Sequence, residues 1–147
     1  MRVRNGAYIV AVDGGKLSIF RNIGEAFEPV LELIEELRNP VPTTAEIGDD
    51  RPGRSFQSAS MRRSAHERTD LHQKEEDRFA RQAAKRIESL AKTNQEDLVL
   101  VAAPRMLGEI RKLIDSETKD RLTAEISKSF DPSAAESLAK MLSQHQE

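Results

Sequence analysis

The side chains of this chain that are best suited to binding chemistry lie in residues 49–58, where a Pro-Gly pair is flanked by arginines. A guanidinium forms paired hydrogen bonds with phosphate oxygens, and an aromatic ring on a loop can stack on an RNA base. The predicted RNA- or ligand-binding residues, which all lie in this stretch or just after it, are Arg51, Gly53, Arg54, Ser55, Phe56, Gln57, Arg62 and Arg63. The alternative is a solvated connection without function, because loops are polar whether or not they bind anything.

The charge around this stretch is locally basic. Residues 51–68 contain five arginines and a single acid, Glu67, a balance of +4 in a chain whose formal net charge is −2. The chain as a whole therefore lacks the positive field that attracts nucleic acid without specificity. Any contact with RNA must be local.

Length and composition predict one soluble domain that spans residues 1–147. A chain of 147 residues can bury most of its apolar surface in a single core. It has no cysteine, which excludes a disulfide framework, a thiolate metal site and a catalytic thiol. The apolar run near the N-terminus, residues 7–12, is too short for a signal peptide or a membrane span. We expect a cytoplasmic protein that does not bind membranes.

The first third of the chain has the pattern of an antiparallel sheet. Residues 7–12 are apolar throughout, which predicts a strand buried on both faces, and Asp13-Gly14-Gly15 predicts a hairpin turn into a second strand at 16–21. Residues 27–38 fit a helix almost as well as a strand. We favour a third strand, at the edge of the sheet because Pro29 lies near its start.

The rest of the chain alternates helices and strands. A long mobile loop is predicted at about 43–68, followed by a helix from Asp70 to about Lys92 with a capping-box-like Gln73. A buried strand is predicted at 98–103, a partly buried one at 122–127, and a closing helix from Asp131. Between these strands a helix begins at Pro104, with an expected buried face of Leu107, Ile110, Leu113 and Ile114, and ends at 115–120.

Three antiparallel strands followed by αβαβα define an α/β (α+β) fold with the ribonuclease-H-like layout. Enzymes of this layout bind two divalent metals through several carboxylates. Here Asp13 ends the first strand, but residues 98–103 contain no acid, which disfavours a metal nuclease. His72 and Glu76 have a spacing suited to metal binding but lack a third ligand. We expect neither a metal nor another cofactor.

Four segments carry a family resemblance. Residues 10–20, 50–56, 79–81 and 98–108 read VAVDGGKLSIF, DRPGRSF, FAR and LVLVAAPRMLG. Together they resemble the bacterial family described as "protein required for attachment to host cells". That family is similar to the middle domain of archaeal and eukaryotic class-1 translation release factors and to its Pelota relatives.

The resemblance implies a position in the fold for residues 51–63, which we call the basic loop. In the release factors the loop between the third strand and the long helix carries a Gly-Gly-Gln tripeptide that enters the ribosome. Residues 52–58 correspond to it, but the tripeptide is absent, because Gly53 has no glycine neighbour and Phe56 precedes Gln57.

The resulting hypothesis is a non-enzymatic factor that binds RNA or the ribosome through the basic loop. One alternative is a peptidyl-tRNA or RNA hydrolase that uses Gln57, Ser55 or His66. Another is an interaction protein involved in attachment to host cells. The oligomeric state cannot be derived from these patterns.

Overall fold

Five strands form one mixed sheet in the order β3-β2-β1-β4-β5 in the computed structural model of the chain. The structure describes residues 1–39, 58–129 and 134–145, and only the backbone of 58–72. The strands are β1 (Tyr8–Val12), β2 (Lys16–Asn22), β3 (Leu31–Arg38), β4 (Leu98–Ala102) and β5 (Leu122–Ser127). The helices are α1 (Ser58–Thr93), α2 (Pro104–Leu113), α3 (Ser116–Arg121) and α4 (Ala135–Gln144). This order confirms the predicted mixed α/β fold.

The direction of the strands changes across the sheet. β1, β2 and β3 are antiparallel neighbours, whereas β1 pairs with β4, and β4 with β5, in parallel. Every residue of β4 is buried, and so are all residues of β1 after Tyr8. A strand without apolar–polar alternation is covered on both faces, and the structure confirms this prediction for both central strands.

Helices cover both faces of the sheet. On one face α1 and α2 pack against β1, β2 and β4, with Phe79, Ile87 and Ile110 fully buried. On the other face Leu138 and Leu142 of α4 pack against the opposite side of the same strands. Alternate residues of β2 enter the two layers, Leu17 and Ile19 on the α1 side and Phe20 on the α4 side. The hydrophobic core therefore lies in two layers that sandwich the sheet.

α1 begins earlier than predicted. The helix starts at Ser58, so the part of the predicted loop at 58–68 is helical, and the capping box predicted at Asp70 is wrong. Gln73 instead donates a hydrogen bond from Nε2 to Oδ1 of Asp77, one turn further along. An apolar stripe marks only the part of a helix that packs on a core, and among the described side chains of α1, at 73–93, the buried ones begin at Phe79. The remaining part of the predicted loop, residues 43–57, lies outside the described residues.

The region after β4 differs from its prediction in two details. Residues 115–120 were predicted to end a helix, but they contain most of a further helix, α3. Its first turn is capped by a 2.8 Å hydrogen bond from Thr118 N to Asp115 Oδ1. Leu113 was expected to be buried but is 41% exposed, and Met106 contributes to the core instead. α4 starts at Ala135, and the predicted start at Asp131 lies outside the described residues.

Candidate functional site

Most of the predicted binding residues cannot be placed. Residues 51–57 lie outside the described residues, and for Arg62 and Arg63 only the helical backbone is described. The structure does locate the point at which this segment leaves the sheet. Asn39 donates from its backbone N to the Gly15 carbonyl (2.9 Å) and from Nδ2 to the Gly14 carbonyl (3.4 Å). The segment therefore departs from the β1–β2 turn, at the carboxyl end of β1.

α1 extends past the same end of the sheet. Its 36 residues span about 54 Å at 1.5 Å per residue. Glu76 lies against the β1–β2 turn, since a Cβ on Gly14 would be 2.8 Å from its Oε1. The 18 residues before Glu76 therefore reach roughly 27 Å beyond the turn. The backbone of Arg62 and Arg63 belongs to this extension.

A crevice lies where β1 and β4 end, the position at which parallel sheets commonly bind ligands. Asp13, Glu76, Asp77, Arg105 and Glu109 line it together with backbone, and its volume is about 120 Å³. Small-molecule sites usually measure about 300–1,000 Å³, so the crevice is too small for an ordinary substrate. Asp13 has a structural role there, because its Oδ1 accepts a 2.8 Å hydrogen bond from Gly15 N and closes the turn.

The described residues contain no cluster of metal-binding side chains, since no group of three or more His, Asp or Glu is placed to hold a metal ion there. The His72 side chain lies outside the described residues, so the His72–Glu76 pair stays a prediction. Within the described residues, no helix is long and apolar enough to cross a membrane.

The open edge of β3 is the most unusual surface of the described structure. Among the strands of residues 1–39 and 58–129, β3 pairs only with β2. Large exposed apolar side chains concentrate there and in the β2–β3 connection, each between 48% and 68% exposed: Ile23, Phe27, Val30, Leu33 and Ile34. Apart from these, only Leu113 is a large exposed apolar residue among the described ones. We call residues 23–38 the edge surface.

The register of β3 explains part of this exposure. Glu35 faces Ile19 and Leu33 faces Phe20, so Ile34 is an extra residue that interrupts the ladder between β2 and β3. A bulge of this kind breaks the regular alternation of faces. The sequence contained a signal for the edge surface, because residues 27–38 hold more apolar side chains than an edge strand with one covered face can bury.

A groove runs between the edge surface and α1. Its volume is about 570 Å³, within the range of ligand sites, and Leu37 and Arg38 of β3 line it on one side. The side contributed by α1 consists of residues three or four apart, which share one face of the helix: Gln82, Lys85, Arg86 and Ser89. No sequence pattern had indicated this groove, because its two sides are more than 40 residues apart in the chain.

Ion pairs neutralise most of the charges around the groove. Arg86 donates two hydrogen bonds to Glu35, of 2.5 and 3.0 Å, and these hold the pKa of the Glu35 carboxyl below its usual range. Lys16 and Arg38 both bind Glu36, and the hydrogen bond from Lys16 is the main reason that its pKa is also lowered. Lys85 is exposed and has no ion-pair partner among the described residues. Among the described residues, Lys85 is therefore the one unneutralised cation that lines the groove.

The fold and these surfaces define a small α/β protein with an open sheet edge and without a substrate-sized cavity where β1 and β4 end. Its sequence matches the family model "Protein required for attachment to host cells" over residues 8–142, from the start of β1 into the last turn of α4. The chain belongs to this family. No curated protein matches the chain.

Proposed function

We propose that the protein acts in attachment to host cells by binding a partner protein through the edge surface. The family match over nearly the whole chain supports the role in attachment. The observation that carries the binding mode is the concentration of exposed apolar side chains on the edge surface, where β3 pairs only with β2 among the described strands. Soluble monomers rarely expose contiguous apolar patches of more than a few hundred Å², and larger patches commonly mark interaction sites.

Complementation of a deletion strain tests this proposal. We expect deletion of the gene to lower the number of cells that attach to host cells, and we expect the wild-type gene to restore that number. A Leu33→Lys/Ile34→Lys variant does not restore attachment, because two charges on the edge surface prevent apolar contact. Leu113→Lys is the matched control, since Leu113 is similarly exposed but lies on α2, away from the edge.

Folding and location must be measured in the same strains. Each purified variant should melt within about 2 °C of wild type, because exposed substitutions usually change stability by no more than about 0.5 kcal/mol. Cell fractionation shows whether the protein reaches the envelope or the medium. Normal attachment of the deletion strain, or full complementation by the Leu33→Lys/Ile34→Lys variant at wild-type protein levels, contradicts the proposal.

RNA or ribosome binding through residues 51–63 is a second candidate. The five arginines against one acid in residues 51–68 favour it, together with the resemblance to release-factor middle domains. On this proposal the native protein co-sediments with ribosomes and dissociates at high salt. In the Arg51→Ala/Arg54→Ala variant, the slope of the logarithm of the binding constant against the logarithm of the salt concentration becomes shallower by roughly 0.7–0.9 for each lost phosphate contact. The melting temperature should change little. Unchanged binding by this variant contradicts the candidate.

A further inference from the structure

We infer that a groove between α4 and the end of β5 binds a small molecule that carries a phosphate monoester group. Its volume is about 380 Å³, within the range of ligand sites. The site goes beyond the proposed function, because β5 and β3 form opposite edges of the sheet. We call it the α4 groove, and its lining residues are Lys128, Ser137, Lys140, Met141, Gln144 and His145.

Two segments that are distant in the chain form the walls of the α4 groove. Lys128 N donates a 2.9 Å hydrogen bond to the Ala102 carbonyl, which continues the β4–β5 ladder by one residue. Ile126 packs in the core layer on the α4 side, so Lys128, two residues further along the strand, points to the same side. The other wall is one face of α4, since residues 137, 140, 141 and 144 lie three or four positions apart.

The backbone of both walls is fixed by the fold. Leu138 and Leu142 are fully buried, and they set the rotation of α4 about its axis. The backbone N of His145 donates to the Leu142 carbonyl (3.3 Å) and so holds the residue that follows the helix. The hydrogen bond from Lys128 N anchors the opposite wall to β4. Groups that are already positioned lose less conformational entropy when a ligand binds.

The charge of the α4 groove is uncompensated. Lys128 and Lys140 are exposed, and neither forms an ion pair within the described residues. None of the described residues that line the groove is acidic. Glu136 lies one turn before Lys140 on α4, but it does not line the groove and forms no ion pair with that lysine. Two unneutralised ammonium groups balance the charge of a phosphate monoester, about −1.5 to −2 at pH 7.

The uncharged side chains of the groove select among anions. The hydroxyl of Ser137, the amide of Gln144 and the imidazole of His145 can each donate a hydrogen bond to a phosphate oxygen. Met141 is partly buried and offers an apolar contact to the rest of the ligand. A carboxylate carries a single charge and would leave one lysine unpaired. The lining therefore favours an organic phosphate over a carboxylate or a free phosphate ion.

Phenyl phosphate is the probe for this inference, because it joins a phosphate monoester to an apolar ring. Its dissociation constant is measured by titration of the ¹⁵N-labelled protein in NMR, at an ionic strength held constant with sodium chloride, since salt screens exposed charges. We expect it to bind at least about tenfold more tightly than benzenesulfonate, which has one charge, and than inorganic phosphate, which has no ring. The amide signals that shift should be those of residues 128 and 137–145.

Substitutions in the groove should separate its two kinds of contact. Lys128→Ala and Lys140→Ala should each weaken the binding of phenyl phosphate about tenfold. Met141→Ala should weaken the binding of phenyl phosphate and leave that of inorganic phosphate unchanged. Lys85→Ala is the matched control, because Lys85 is also an exposed lysine without an ion pair in the described part of the chain but lies at the β3 groove. Its affinity for phenyl phosphate should equal that of wild type.

Four outcomes overturn the inference. The first is unchanged affinity in the Lys128→Ala/Lys140→Ala double variant, and the second is an equal loss in Lys85→Ala. The third is a set of shifted signals confined to residues 51–63, which would mean that the basic loop holds the anion. The fourth is binding to vesicles that contain phosphatidic acid without binding of phenyl phosphate, which would identify a lipid surface as the ligand. None of these outcomes changes the attachment assay, so the proposed function is tested separately.

Discussion

Asn22 is the buried polar residue that joins the N-terminal segment to the β2–β3 connection. Its side chain is inaccessible, its Nδ2 donates to the Val3 carbonyl (2.8 Å), and its Oδ1 accepts from Gly24 N (2.9 Å) and Val30 N (3.0 Å). Replacing it leaves buried backbone groups without hydrogen-bond partners, which costs more than the bonds themselves contribute.

Asn22→Ala should therefore lower the free energy of unfolding by about 2–4 kcal/mol, measured by urea denaturation. Asn5→Ala is the control, because Asn5 makes one exposed hydrogen bond, from Nδ2 to the Gly24 carbonyl, and its loss should cost less than about 1 kcal/mol. Equal effects of the two substitutions would show that the Asn22 network does not hold the connection.

Two glycines should respond to alanine in opposite directions. A Cβ on Gly24 would lie 2.7 Å from Val30 N and 2.8 Å from the Glu28 carbonyl oxygen, so backbone must move, and Gly24→Ala should destabilise by about 1–3 kcal/mol. Gly108 lies inside α2, and apart from its chain neighbours and the backbone of its own helix no described atom lies within 4 Å of its Cβ position. Gly108→Ala should stabilise by about 0.5–1 kcal/mol. Thermal melts of both variants check the signs.

Residues of this kind escape prediction from sequence. Asn22 binds the carbonyl of Val3, 19 positions away, and Arg121 donates from Nη1 to the Ala91 carbonyl (2.6 Å), 30 positions away. Neither contact leaves a periodic pattern, because each depends on tertiary approach. The predicted binding residues at 51–57 stay predictions.

Among the elements, β3 and α1 are tied by the Glu35–Arg86 pair. Arg86→Ala should lower stability at pH 7 by about 1 kcal/mol or less, because both side chains are partly exposed and solvent screens the pair. Arg81→Ala is the control on the same helix, since Arg81 is exposed and has no ion pair in the described part of the chain. An equal loss from both variants would mean that the pair contributes nothing specific.

The pH dependence of this pair has a defined sign. Arg86 lowers the pKa of Glu35 from its ordinary value of 4.5, so the folded state favours the ionised carboxylate. The stabilisation is complete above the ordinary pKa and is lost as the pH falls through the lower folded value. The difference in melting temperature between wild type and Arg86→Ala should therefore be constant from pH 7 to about 5 and shrink at lower pH.

The sequence predicted the helices and strands whose apolar residues are continuous or periodic, and β1, β4 and α2 were located for this reason. The start of α1 and the whole of α3 were missed, because the sequence shows no apolar period there. The edge position of β3 was predicted from Pro29, but the exposed apolar side chains beside it were not.

For the whole molecule, the central position of β4 decides whether the chain folds. Val99 is 1% exposed and lies between Ile9 of β1 and Ala124 of β5. Val99→Asp places an unpaired charge between two strands and should cost at least about 3–5 kcal/mol, enough to abolish cooperative melting. Ser127→Asp, at the exposed end of β5, should melt like wild type. A cooperatively melting Val99→Asp protein would contradict the central placement of β4.

The pairing of β1 with β4 also sets the order of events during synthesis. Tyr8 pairs with Leu98, 90 residues later, so at 5–20 residues per second a ribosome makes β4 roughly 5–20 s after β1. β2 and β3 can form a hairpin with β1 well before then, but the other edge of β1 has no partner strand. The nascent chain therefore exposes the unpaired edge of β1, an entirely apolar strand, for several seconds. A chaperone that protects this edge over that interval would raise the yield of folded protein.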